Sequence, residues 1–279
     1  MYSISASLSA LLITILISRT NAFSTLISNK ISRSATEMKM TGSNGITLED
    51  VKAILFDIDG TLADSWKLGF DATQVVLESN GVPKITEEMY HEGCIYATPE
   101  RLARHAGLKP DDADFEKLGN KWAQEFDDHY VGLVSLETAG FYKGMSSFLN
   151  DVPETVKFGA LTNACVGYAH AVLKANSDEN NSLYDRFGSI KGADNVPNPK
   201  PAPDGLLAVC EELSLKPEDC IYIGDSPTDG KAAQAAGMTA VGVLWGSHNE
   251  ESLSKAPFSH LCQNIDELRE VLNMVCSQK

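Results

Sequence analysis

Short, almost wholly apolar runs alternate with amphipathic stretches along most of this chain, and each run stops at polar residues. Residues 51–56 end at Asp57, residues 156–161 at Thr162-Asn163, residues 220–223 at Gly224-Asp225, and residues 239–244 near Trp245-Gly246. A strand with no polar face reads as a parallel strand covered by helices on both sides. Helix-period patterns lie between the runs, for example over 204–213 and over 229–236, the latter closed by Gly237. Alternation of this kind predicts an α/β fold, a doubly wound, Rossmann-like parallel sheet. Ligands of such sheets bind beyond the carboxyl ends of the strands, where the polar residues of this sequence gather.

One long interval breaks the alternation. Residues 66–143 carry helical patterns only: Thr98-Pro99 caps and begins a helix that Gly107 stops, and Phe115, Leu118, Trp122, Phe126 and Tyr130 form one apolar stripe. The stripe is read as core packing. The interval is expected to be an inserted all-helical cap domain over a core domain built from residues 46–65 and 144–279.

Residues 1–45 read as an address. The apolar run 8–18 is too short for a comfortable membrane span, and Thr20-Asn21-Ala22 offers a signal-cleavage pattern. From Phe23 onward the chain is rich in Ser and Thr, basic and poor in acids, as transit segments are. A signal peptide joined to a transit segment resembles a bipartite plastid presequence, which implies the chloroplast stroma. An ordinary secretory signal followed by a linker is the alternative. No second hydrophobic stretch is long enough to span a bilayer, so no stable membrane association is expected.

Charge narrows the partners. The formal net charge is −15. Arg19, Lys30, Arg33 and Lys39 against Glu37 make the first 45 residues net positive, so the rest is more acidic still. Such a body repels nucleic acid and anionic surfaces. A small anionic substrate would need a local cluster of cations or a metal. The six cysteines, Cys94, Cys165, Cys210, Cys220, Cys262 and Cys276, show no CxxC or zinc-like spacing and read as reduced structural thiols.

The polar strand ends carry the chemistry. Alternation along an extended strand end places Asp57 and Asp59 on one side, where two carboxylates need a cation or a shared proton. Hard oxygen donors favour magnesium, and Gly60 permits the turn that follows. Thr162 and Asn163 offer a hydroxyl and an amide for phosphate oxygens. Lys200 stands between Pro199 and Pro201, which restrict its backbone. Asp225 and Asp229 add two carboxylates able to complete a magnesium site.

Taken in order, Asp57-Ile-Asp-Gly-Thr, Thr162-Asn163, Lys200-Pro201 and Gly224-Asp-Ser-Pro-Thr-Asp229 resemble the motifs of the haloacid dehalogenase-like hydrolase superfamily, in its helical-cap subgroup and its phosphoglycolate phosphatase branch. The resemblance covers the chain from about Val51 onward. It implies that Asp57 is a nucleophile that becomes phosphorylated and that Asp59 is the general acid and base. It implies that Thr162, Asn163 and Lys200 hold the phosphate. Mg²⁺ would sit on the side chains of Asp57 and Asp225 and the backbone carbonyl of Asp59, with Asp229 in support. The expected substrate is a small phosphate monoester, with 2-phosphoglycolate foremost. A sugar-phosphate phosphatase and a β-phosphoglucomutase-like phosphotransferase would use the same residues. A non-catalytic scaffold has no reason to keep all of them. Arg101, Arg104 and Lys143 could meet a substrate carboxylate, but their ordinary reading is solvated surface charge.

Overall fold

The computed structural model describes residues 46, 48–94, 96–177 and 182–274. The presequence and Cys276 lie outside the described residues. Six strands form one parallel sheet: β1 (Ala53–Phe56), β2 (Lys157–Leu161), β3 (Phe187–Lys191), β4 (Cys220–Gly224), β5 (Thr239–Val243) and β6 (His260–Cys262). Their order is β3-β2-β1-β4-β5-β6. The first strand is therefore central, and the order reverses beside it, which opens a crevice at the carboxyl ends of β1, β2 and β4.

All four residues of β1 are fully buried. Ile54 and Phe56 face one side, where Phe56 meets Phe148, Phe158 and Phe187 at ring centroids 5.5–6.5 Å apart. Ala53 and Leu55 face the other side with Leu206, Val209 and Ala232. Burial on both faces explains the unbroken apolar run in the sequence.

Between β1 and β2 the chain forms helices α1 (Trp66–Ser79), α2 (Glu87–Gly93), α3 (Thr98–His105), α4 (Phe115–Gly132) and α5 (Leu136–Ala139), then α6 (Met145–Asp151). The residue preceding α3 is Ala97, with no side-chain cap, so Thr98 lies inside the helix it was expected to cap. The two ends of the helical insert run side by side: Ala63 pairs with Phe141, Asp64 N–H donates to Gly140 O at 3.0 Å, and Tyr142 N–H donates to Leu62 O at 2.9 Å. After β2 come α7 (Val166–Ala175), α8 (Asp204–Leu213), α9 (Pro227–Ala236), α10 (Glu250–Leu253) and α11 (Ile265–Val271).

Cys94, Cys165, Cys210, Cys220 and Cys262 are free thiols, as expected, although Cys210 and Cys220 lie 3.9 Å apart. Among the described residues no helix is long and apolar enough to cross a membrane.

Candidate active site

Four sequence-distant segments meet at the carboxyl ends of β1, β2 and β4. Asp57 leaves β1 with its N–H bonded to Ile223 O of β4 at 2.9 Å, and it is 5% exposed. Lys200, from the loop before α8, reaches it at 2.8 Å. The same ammonium reaches Asp229 Oδ1 at 2.7 Å, the Tyr222 hydroxyl at 3.0 Å and Leu161 O at 3.4 Å. Burial opposes the charge on Lys200, but Asp229 and Asp57 outweigh it and hold the amine protonated, its pKa above the usual lysine value.

Asp57, Asp225 and Asp229 are all buried, with carboxylate oxygens within 4.8 Å of one another. Burial raises the Asp57 carboxyl well above the ordinary range; Lys200 opposes that, while Asp229 and Asp225 add to it. Asp225 is pushed up to about 7, chiefly by burial and then by Asp229, against the hydrogen bond it accepts from Ser247. Lys200 pairs with Asp57 and Asp229, and Asp225 has no cation of its own among the described residues.

The free oxygens show where a cation fits. Asp229 is fully used: Oδ1 accepts from Lys200 and from Tyr222 at 3.1 Å, and Oδ2 accepts the Ser226 N–H at 2.9 Å, part of the box that opens α9. Asp225 Oδ2 accepts the Ser247 N–H at 2.6 Å, and Asp57 Oδ1 holds Lys200. Among the described residues no donor reaches Asp57 Oδ2 or Asp225 Oδ1. Gly60 has φ +74°, and a Cβ there would stand 2.2 Å from Asp225 Oδ2; a Cβ on Gly246 would stand 2.3 Å from the same atom. The bare backbone keeps this pocket of hard oxygens open, and the donor set suits a small divalent cation.

Asp59 does not join that cluster. The strand ends at Phe56 and the chain turns at Gly60, so strict alternation no longer applies at Asp59. Its Oδ1 accepts three hydroxyls, from Ser65 at 2.5 Å, Tyr130 at 2.8 Å and Tyr168 at 2.5 Å. Its Oδ2 accepts Thr162 Oγ1 at 3.3 Å. The expectation that the Asp57 and Asp59 side chains share one cation is thereby corrected: four hydroxyls satisfy Asp59. Burial and the Asp59 charge raise Tyr130 and Tyr168 above the usual tyrosine value, so both remain donors.

Thr162 stands at the mouth of β2, 2% exposed. The Asn163 side chain is spent on the lysine loop: its Nδ2 donates to Lys200 O at 3.1 Å and its Oδ1 accepts the Lys200 N–H at 3.0 Å. Both ends of the amide are occupied, so this side chain positions Lys200 where phosphate contact was expected of it.

Sequence reasoning missed Ser65, Tyr130, Tyr168 and Tyr222. Tyr130 departs from the packing reading of the α4 stripe, because its hydroxyl donates to Asp59. Phe115, Trp122 and Phe126 are buried core as expected. Tyr130 ends the stripe with a hydroxyl, and a polar tip on an apolar face is the signal that could have found it. It stacks on Tyr168 of α7 at 3.9 Å and 15°.

A family profile described as haloacid dehalogenase-like hydrolase matches residues 54–243. A phosphoglycolate phosphatase of Escherichia coli O157:H7 is 27% identical over 246 residues, covering 82% of this chain and 96% of the relative. Two crystal structures share the fold. One is described as a putative phosphoglycolate phosphatase from Lactobacillus plantarum, with TM-score 0.67 and 21% identity over 79% of this chain and 99% of that one. The other is CbbY from Rhodobacter sphaeroides in complex with phosphate, with TM-score 0.66 and 23% identity over 80% of this chain and 99% of that one.

Proposed function

The chain belongs to the haloacid dehalogenase-like hydrolases, and from that premise we propose that it is a magnesium-dependent phosphatase of small phosphate monoesters, acting through a phosphorylated Asp57, with 2-phosphoglycolate as its leading substrate. The carrying observation is the buried convergence of Asp57, Lys200, Asp225 and Asp229 beside Asp59 at one sheet edge.

Asp57 and Asp225, through their free oxygens, and the Asp59 carbonyl would hold Mg²⁺. When bound, it would neutralise charge on the cluster and on the phosphoryl oxygens. One carboxylate oxygen of Asp57 attacks phosphorus, and the bond from phosphorus to the ester oxygen breaks. Asp59 gives its proton to the departing alkoxide, which leaves as the alcohol. Asp59 then takes a proton from a water that attacks the phosphorus, releasing inorganic phosphate and restoring the Asp57 carboxylate. Lys200 and Thr162 hold the phosphoryl oxygens, and Asp229 and Asn163 fix Lys200 from either side. Phosphoryl transfer depends mainly on such positioning and charge neutralisation. The hydroxyl nest of Ser65, Tyr130, Tyr168 and Thr162 positions the Asp59 carboxyl for these transfers. Residues 66–143, the proposed cap domain, contribute Tyr130 to that nest.

What supports 2-phosphoglycolate as substrate is the alignment of most of this chain with curated phosphoglycolate phosphatases. The test is phosphate release with Mg²⁺ from 2-phosphoglycolate, sugar phosphates and nucleotides, together with borohydride reduction of acid-quenched enzyme to trap an acyl phosphate at Asp57. A sugar phosphate ranking first in kcat/KM would overturn the substrate, rearranged product would indicate a mutase, and turnover by Asp57→Asn would remove the nucleophile. We also propose a plastid address for residues 1–45. A fluorescent fusion that enters the secretory pathway and stops there would refute it.

A further inference from the structure

Arg101 is a buried charge that the proposed chemistry leaves unused. It lies on α3, is 6% exposed, and makes no ion pair among the described residues. Its sequence reading as surface charge is therefore corrected. Arg104 does fit that reading, paired with Glu100 at 2.7 Å, and Lys143 is exposed. The Arg101 guanidinium lies over the rings of Tyr90 at 4.9 Å and Phe126 at 5.1 Å, the Tyr90 hydroxyl is within its reach, and Nη1 donates to Cys94 Sγ at 4.0 Å. Its Nε has no partner.

One turn along the helix, His105 Nε2 has none either. Gly93 closes over both: a Cβ there would stand 2.6 Å from the His105 ring and 3.2 Å from Arg101 Cγ. Burial and the neighbouring guanidinium hold His105 down to about 4, so it is neutral near pH 7 and Arg101 carries the charge of the pair. Asp127 on α4 feels the guanidinium only weakly and does not pair with it. A desolvated cation without an acid is costly, and an acid that arrives with a ligand would remove the cost.

The position is close to the reaction centre by two routes. Phe126 packs on Tyr130 at 4.8 Å, and Tyr130 donates to Asp59. The Tyr90 hydroxyl abuts Gly69, where a Cβ would meet it at 2.2 Å; Gly69 N–H bonds to Ser65 O, and Ser65 donates to Asp59. Both rings that carry Arg101 thus lead within one or two residues to the nest around Asp59.

We propose that Arg101 reads the carboxylate of the substrate: with the phosphoryl group at Asp57 and Lys200, the acid end of a two-carbon phospho-acid pairs with the guanidinium inside the helical insert. This rests on the phosphatase reading and adds the residue that would select phosphoglycolate among monoesters. A guanidinium presents two parallel donors to a carboxylate, which a lysine cannot copy.

The test compares 2-phosphoglycolate with ethyl phosphate, which lacks the acid, for wild type, Arg101→Gln and Arg101→Lys. Arg101→Gln should lower the ratio of the two kcat/KM values roughly 10- to 100-fold, the range of one charge-assisted contact, mainly through KM. Arg101→Lys should recover part of it. An equal fall on both esters would make Arg101 a structural residue and overturn the proposal, as would an unaltered ratio. A second measurement needs no variant: phosphonoacetate should inhibit wild type about tenfold or more better than ethylphosphonate. Equal inhibition would overturn the assignment even if Arg101→Gln fails to fold. Wild type that hydrolyses ethyl phosphate as well as 2-phosphoglycolate sinks this inference alone. Wild type that hydrolyses no phosphate monoester, sugar phosphates and nucleotides included, sinks the phosphatase reading beneath it.

Discussion

Replacing Tyr130 by Phe removes one hydroxyl and leaves the ring, so the stack on Tyr168 survives while the bond to Asp59 is lost. Asp59 keeps its donors from Ser65 and Tyr168 on the same oxygen and Thr162 on the other. The carboxylate is therefore not orphaned, and the cost should fall at the low end for a charge-assisted bond, about 1–2 kcal/mol. Expressed wholly in the barrier, that is about 5- to 30-fold in kcat. Tyr168→Phe should behave alike. Because both hydroxyls share one acceptor, the double variant should depart from additivity by about 0.5 kcal/mol or more. Steady-state kinetics on 2-phosphoglycolate, with urea unfolding as a control on stability, reads all four corners of the cycle. If kcat in the double variant matches wild type, Asp59 does not depend on the tyrosines and the nest is packing alone.

Lys200→Met should destabilise the fold by about 3–5 kcal/mol near pH 8, because it strips the shared cation from two buried carboxylates. Urea titrations showing equal stability for the variant and wild type at pH 8 would contradict the pairing. Asp225, pushed up to about 7, holds a proton in the fold that it would release when unfolded; below the unfolded value near 4 the neutral form is present in both states. Metal-free wild type should therefore lose stability relative to Asp225→Asn as pH rises from about 4 to 7, and thermal melts showing a flat difference would refute this. Gly60→Ala should weaken Mg²⁺ binding, since the new methyl meets Asp225 Oδ2 and the backbone must leave φ +74°. Calorimetry finding wild-type affinity would show that the turn yields without disturbing the ligand.

Much of the fold was legible because burial on both faces leaves a plain mark. The runs ending at Asp57, Thr162 and Asp225 fall on β1, β2 and β4, the inner strands, and the run near 239–244 falls on β5. The outermost strands were missed: β3 carries Gly188, Ser189 and Lys191, and β6 has three residues with His260 partly exposed. An edge strand covered on fewer sides needs fewer apolar residues and gives a weaker pattern. Helix α9 begins at Pro227, two residues before its apolar period, because Ser226 and Asp229 form its opening box.

The site divides in the same way. Motif spacing brought Asp57, Lys200, Asp225 and Asp229 together, since each sits just past a strand or in a restricted loop. It could not place the side chain of Asp59, which depends on a turn, nor Tyr130 and Tyr168, which converge from two helices with no local signature. Asn163 shows a further limit, because an amide beside a phosphate-type threonine reads the same whether it faces a ligand or the Lys200 backbone.

The junction where residues 62–64 run beside 140–142 is stitched by main-chain groups. Peptide hydrogen bonds ask little of side-chain identity, so mutations in the excursion between these two short stretches can accumulate without unpicking the seam. A chimera taking residues 65–139 from a relative with another preference should stay anchored on this sheet. Selectivity could then change hands by exchanging one contiguous stretch of gene.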